Sequence, residues 1–220
     1  ALAMLFVVSL KCEKPRFRAH AHPLRRYVLP GLSIGILSPL SMLIARGAVG
    51  ESLSWHEAGV LQALWRISDW VCAFAAGILS VHYLPRFAGV RGRPEMNAVL
   101  KEAAKAVLLP SALVFALLLL LHRPLLAGLY DPSVQASNAA VAILFAGNLL
   151  RIAAWIPLFA LYAMRRTGSI TVGEILSLPL FAGLVVVLSA RLTLELVAVL
   201  WLLSFAAYGA YNLWAVRKAD

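Results

Sequence analysis

Apolar residues run through this chain in blocks of membrane length, separated by short clusters of charges and turn formers. After an apolar start, ALAMLFVVSL at residues 1–10, six blocks follow. They run from about Arg26 to Ala45, Ala58 to Leu84, Ala104 to Leu121, Ala139 to Met164, Ile170 to Ala190 and Leu194 to Val216. A helix rises ~1.5 Å per residue, so ~20 residues cross the ~30 Å hydrocarbon core of a bilayer. The separators are Gly47 to Ser54, Gly89 to Pro94, Asp131-Pro132-Ser133, Thr167-Gly168 and Arg191 to Thr193; clusters of this kind mark loops. Val185 to Val187 has strand propensity, but a lone strand in lipid leaves its backbone unsatisfied, so the run reads as helix. Pro39, Pro157 and Pro179 fall inside spans, where each deletes a backbone hydrogen bond and bends its helix. The expectation is an all-α, polytopic membrane protein.

The second block, Ala58 to Pro85, carries Arg66 and Asp69 well inside it. Each such charge costs ~2.5–3.5 kcal/mol at the centre of an inserted helix. At i, i+3 they share a face, so they are expected to neutralise one another and turn inward. Intramembrane charges mark solute paths, proton sites or clamps between helices. Arg66 and Asp69 therefore point to transport, with a purely structural ion pair as the competing account.

Basic residues alternate with the crossings. Lys11, Lys14, Arg16, Arg18, Arg25 and Arg26 precede the first span, and Arg86, Arg91, Arg93, Lys101 and Lys105 follow the second. Arg165 and Arg166 follow the fourth, and Arg217 and Lys218 the sixth. The opposite loops hold only Arg46, Arg123 and Arg191. The positive-inside rule then makes the rich side cytoplasmic, with both ends of the sequence on it. In a soluble protein a net charge of +10 would suggest nucleic acid, but 62% hydrophobic residues exclude that class and turn the cations into topology signals. Residues 1–10 read as the end of a helix whose beginning is missing, residues 11–26 as a basic cytoplasmic loop, and residues 27–218 as one six-span unit.

Further polar groups lie within the later spans. Asn148, Arg151 and Trp155 share a face of the fourth, and a guanidinium beside a ring and an amide suits phosphate and sugar groups. The alternatives are that Arg151 snorkels or pairs with Glu174 of the fifth span. Glu174 itself is either a coupling carboxylate or a wet interfacial residue. Glu195 reads as a carboxylate at a helix N-terminus, and Ser54 with Glu57 as a capping box. Trp55, Tyr83, Tyr130, Tyr162, Tyr211 and Trp214 lie near span ends, as interfacial belt residues do. His20 and His22 are too few to hold a metal alone, and Cys12 and Cys72 imply no disulfide framework. Metalloprotease, nucleophile-elbow and P-loop signatures are missing, so neither an enzyme nor a cofactor is expected.

Two segments resemble a known family. SWHEAGVLQALWRISDW from Ser54 with SVHYLPRF from Ser80, and Ala146 to Ser177 from AGNLLRIAAWIPLF through GEILS, are similar to polysaccharide-lipid flippases of the Wzx type. The likeness spans residues 24–218 and is nearest the lipid III and O-antigen branch of the multidrug/oligosaccharidyl-lipid/polysaccharide exporter superfamily. It implies twelve helices in two six-helix lobes around a cavity, this chain being the second lobe and the first being its partner. It also implies a bacterial inner-membrane flippase moving undecaprenyl-diphosphate-linked oligosaccharide, coupled to a proton or cation, with membrane lipids as surroundings. By position, the resemblance makes Arg46, Arg66, Arg151, Asn148 and Trp155 substrate-binding, and Asp69 and Glu174 ion-coupling. Relatives often carry Asp where Asn148 stands, which weakens an acid-dependent role there. A drug/toxin exporter of the same superfamily, expected to have a more acidic cavity, and a membrane scaffold without transport are the alternatives.

Overall fold

The structure, a computed structural model, describes residue 31 and residues 33–218. The apolar start, the basic loop at 11–26, His20, His22 and Cys12 lie outside these residues, as does the beginning of the first predicted span. A π turn, Ser33–Leu37, leads into α1, Ser38–Ser52. Helix α2 runs Trp55–Ile78, widens into a π turn at Leu79–Tyr83 and continues as Leu84–Gly89. Then come α3 (Arg93–Leu129), α4 (Asn138–Ala163), α5 (Thr167–Ile175), α6 (Leu178–Val187) and α7 (Leu194–Lys218). Five segments among the described residues are long and apolar enough to cross a membrane: α2, α3, α4, α5 with α6, and α7. The described residues are helical with no strand among them, and the chain is a multi-pass membrane protein.

Helix α4 is the centre, packed by α2, α3, α5 and α7, while α1 packs on α2 and α6. Because lipid gives no hydrophobic reward for helix association, close packing of small residues has to hold such a bundle. Gly147 shows this: a Cβ there would sit 2.6 Å from Trp201 Cδ1 and 3.2 Å from the Leu202 backbone of α7. Trp65, Phe181, Trp201 and Phe205 then stack through the interior, with ring centroids 4.8–6.0 Å apart.

Helix boundaries depart from the sequence reading in four places. Gly47 to Ser54 is not a loop, because α1 continues to Ser52. Gly50 lies there as a contact residue, where a Cβ would meet the Trp55 ring at 2.8 Å. The third span is much longer than Ala104 to Leu121: its 37 residues extend ~55 Å, beyond the hydrocarbon at either end. Pro94 at its start needs no N–H partner, and Met96, Val99 and Ala103 carry its buried stripe outward. The fifth span breaks at Leu176 and Ser177, just before Pro179, which has no N–H for the Ile175 carbonyl four residues back and whose ring clashes with it, but which suits the first turn of α6. Finally, the turn predicted at Thr167-Gly168 lies at Met164 to Arg166. There Arg165 takes φ 56°, and the N–H groups of Arg165 and Arg166 bond the carbonyls of Tyr162 and Leu161. That is a Schellman cap with arginine where glycine is usual.

Other expectations are met. Val185 to Val187 is helical, and α4 and α7 begin and end within two residues of their predicted bounds. Ser54 caps α2, its hydroxyl accepting the Glu57 N–H at 3.1 Å. Glu195 lies in the first turn of α7 and accepts a hydrogen bond from Ser137, the N-cap residue of α4. Trp55, Tyr130 and Trp214 are exposed as belt residues should be, whereas Tyr83 is buried against Phe87.

Candidate functional site

A cleft of about 310 Å³ opens between α4 and its neighbours. Helix α4 supplies Arg151, Trp155 and Tyr162 at i, i+4 and i+11, which project to one side of a 3.6-residue helix. Glu174 and Ser177 reach it from the α5–α6 break, and Phe205 and Tyr208 from α7. The wall is aromatic at one end and acidic at the other.

Arg151 governs the aromatic end. Its Nη1 donates to Asp69 Oδ1 of α2 at 3.0 Å, and its side chain is 20% exposed. Its guanidinium lies 4.9 Å from the Trp155 ring centroid, 5.7 Å from Phe205 and 5.8 Å from Trp201. The rings hold the cation while leaving donors of the fork available, because a guanidinium carries five N–H groups and one is directed at Asp69. Asp69 remains half open, at 51% exposure. An anion arriving in this corner meets a cation already oriented.

This pairing corrects the Arg66–Asp69 expectation, since those two residues make no salt bridge. Side chains in a helix lean toward its N-terminus, so Arg66 leans away from a residue three places later, and the order Arg before Asp is the weaker one. Arg66 is exposed and lies outside the cleft lining, as does Arg46 on α1. The alternative Arg151–Glu174 pair does not form either.

At the far end, Tyr208 donates to Glu174 Oε1 at 2.9 Å, and Glu174 is 9% exposed. Glu174 is therefore a buried cleft residue and not a wet one. The Ser177 hydroxyl donates to the Glu174 carbonyl at 2.6 Å, adding to the Ser177 N–H at 3.3 Å, so this carbonyl at the helix break is satisfied within the protein. Asn212, one turn beyond Tyr208, donates to the Ala154 carbonyl of α4 at 3.2 Å.

Asn148 is not in the cleft. It is fully buried, donates to the Leu144 carbonyl at 3.1 Å, and its Oδ1 accepts from Cys72 Sγ at 4.0 Å. It bridges α4 to α2 in the core. Sequence reasoning missed Ser177, Trp201, Phe205 and Tyr208. For the last a signal existed: Ser204, Tyr208 and Asn212 recur every four residues and form a polar stripe on α7, all three buried. Among the described residues no three His, Cys, Asp or Glu side chains gather as metal ligands. Comparison with protein-family models, curated proteins and solved structures finds no match for this chain.

Proposed function

We propose that this chain is a six-helix lobe of a bacterial inner-membrane flippase that moves a diphosphate-linked lipid oligosaccharide by alternating access, with the basic loops and both ends cytoplasmic. One observation carries the reading: in otherwise apolar spans, a cleft holds Arg151 between Asp69 and three aromatic rings. Intramembrane charge is costly and is retained where it meets a solute or an ion. In this reading Arg151 forks onto the diphosphate, and Trp155 stacks on a sugar. Asp69 keeps the guanidinium aimed, and Glu174 with Tyr208 takes the coupling proton or cation. Arg46 and Arg66, both exposed, face the partner lobe across the shared cavity, and the polyprenyl tail stays in lipid. Transport needs no covalent step. It requires only that substrate and coupling ion bind one access state better than the other.

The test uses the full-length protein in cells stripped of their own flippase, following appearance of lipid-linked oligosaccharide on the outer side at matched expression. Arg151→Lys keeps the charge but loses the planar fork, so transport should fall severely although insertion is normal. Normal transport by Arg151→Ala would end the proposal. A second reading, export of organic cations, draws on Glu174 lying buried in the same aromatic cleft. It predicts dye efflux that depends on Glu174 and survives Arg151→Ala.

A further inference from the structure

Tyr208 and Asn212 lie one turn apart on α7, both buried, and both close on the Glu174 turn of α5. A Cβ at Gly173, the residue beside Glu174, would sit 2.6 Å from Asn212 Oδ1 and 3.2 Å from Tyr208 Cε2. Asn212 Nδ2 donates to the Ala154 carbonyl, which fixes Oδ1 as the acceptor end of the amide. That oxygen is buried and has no hydrogen-bond partner among the described residues. Asn212 is also near enough to the Tyr208 hydroxyl to act on it. One phenolic proton therefore stands between two buried acceptors. Glu174 Oε1 takes it at 2.9 Å, and Asn212 Oδ1 goes without.

A buried acceptor left unpaired costs its desolvation, so the group is incomplete while Tyr208 is committed to a carboxylate. A proton on Glu174 completes it. The carboxyl O–H then donates to the Tyr208 oxygen, and the phenol turns its own hydrogen to Asn212 Oδ1. The O–H bond formed on Glu174 is the only covalent change. We propose that Glu174, Tyr208 and Asn212 form a proton relay, in which Asn212 accepts from Tyr208 whenever Glu174 is protonated. The other titratable groups in the cleft are Arg151, itself paired with Asp69 of α2, and Tyr162 of α4. Helix α6 and the π turn at Ser33–Leu37, which also pack on α5, carry none. The relay rests on the reading of Glu174 as the coupling carboxylate, and it chooses a proton over a metal cation. It makes this conformation the proton-loaded one, because only then is Asn212 Oδ1 satisfied.

Infrared titration of the purified full-length protein reads the proton directly, as the carboxyl band that disappears in Glu174→Gln. Asn212→Leu removes the acceptor that only the protonated state uses, so the midpoint should fall by about half to one pH unit. Tyr208→Phe removes one charge-assisted bond from the ionised state and two neutral bonds from the protonated one. A charge-assisted bond is worth about two neutral ones, so the midpoint should move by less than about half a unit. In the Tyr208→Phe background, Asn212→Leu should change nothing further, because no donor is left to reach the oxygen. An unmoved midpoint in Asn212→Leu would overturn the relay, as would the same fall with Tyr208 absent. So would a rise of about one unit or more in Tyr208→Phe, which a single bond to the carboxylate requires. Tyr208→Phe keeps its ring in the packed interior, so that result decides the matter even if Asn212→Leu fails to fold. A carboxyl band abolished by sodium chloride but not by choline chloride would also overturn the relay, the carboxylate then holding a metal cation. The titration needs no substrate: transport that survives Glu174→Gln would end the coupling reading alone, with the relay judged by its midpoints.

Discussion

Removing Arg151 and Asp69 singly and together, as Arg151→Met and Asp69→Asn, weighs the contact that shapes the cleft. At an effective dielectric of ~20, unit charges ~4 Å apart attract by ~4 kcal/mol, and in water by ~1 kcal/mol. Asp69 is half exposed and Arg151 one-fifth exposed, which places the pair between these limits and nearer the lower. A coupling of about 1–2 kcal/mol is expected. Asp69→Asn alone leaves the guanidinium with only its rings and should cost about 2 kcal/mol, less than for a fully buried pair because water still reaches it. Arg151→Met alone leaves a half-solvated carboxylate and should cost less. The double variant should be more stable than the sum of the singles by that coupling, because paired removal leaves no stranded charge. For a chain of this size ~1 kcal/mol moves Tm by ~2–4 °C, so coupling should appear as about 2–8 °C of non-additivity in detergent. Additive losses would refute the coupling. Transport separates structure from function: a cleft built for an anion loses transport in the double variant although part of the stability returns. A pair that only clamps α2 to α4 loses neither, and the exchange Asp69→Arg with Arg151→Asp should then also transport.

Topology is checked by single cysteines in a Cys-free background: Gly92→Cys and Gly168→Cys should label from one side, Ser52→Cys and Ser133→Cys from the other. Labelling of Ser52→Cys and Gly92→Cys from the same side would break the span assignment. Arg165→Gly relieves a left-handed residue at the α4 cap and should raise stability by about 1 kcal/mol, seen as a higher Tm, whereas a loss would mean the arginine makes a contact of greater value. Gly147→Leu forces side-chain atoms into Trp201 and the α7 backbone and should cost at least about 1–3 kcal/mol, read as loss of monodisperse protein on gel filtration.

The bundle was more legible than its site, for identifiable reasons. Helices α4 and α7 are long apolar runs whose bounds composition alone marks, and in the structure the hydroxyls of Ser137 and Thr193 cap their starts. Helix α3 was read short because Lys101, Glu102 and Lys105 break the apolar run, while the buried Met96, Val99 and Ala103 show that a helix with one wet face continues through them. Gly50 was read as a breaker because sequence does not separate a turn glycine from one that lets a tryptophan approach. In the site, local spacing suggested Arg66 for Asp69, but the partner is 82 residues away on another helix. Only packing could bring them together. Arg151 with Trp155, four residues apart on one helix, was visible at once.

The π turn at Leu79–Tyr83 sets the phase of α2. Up to Leu79 the buried residues Leu61, Trp65, Ser68, Cys72, Ala75 and Leu79 alternate steps of four and three, which keeps them on one line. After it the buried positions are Leu79, Tyr83 and Phe87, in steps of four only, each of which would drift ~40° in a regular α-helix. One residue more per turn takes up that drift, so a straight seam against α4 runs the whole length of the rod. The same phase delivers Arg86 to Glu102 of α3, where Nη2 donates to Oε2 at 2.7 Å. Deleting a single residue within the π turn would screw the end of α2 round by ~100°, taking Tyr83 and Phe87 out of the seam and Arg86 away from its carboxylate. The cleft around Asp69, upstream of the turn, would keep its bearing.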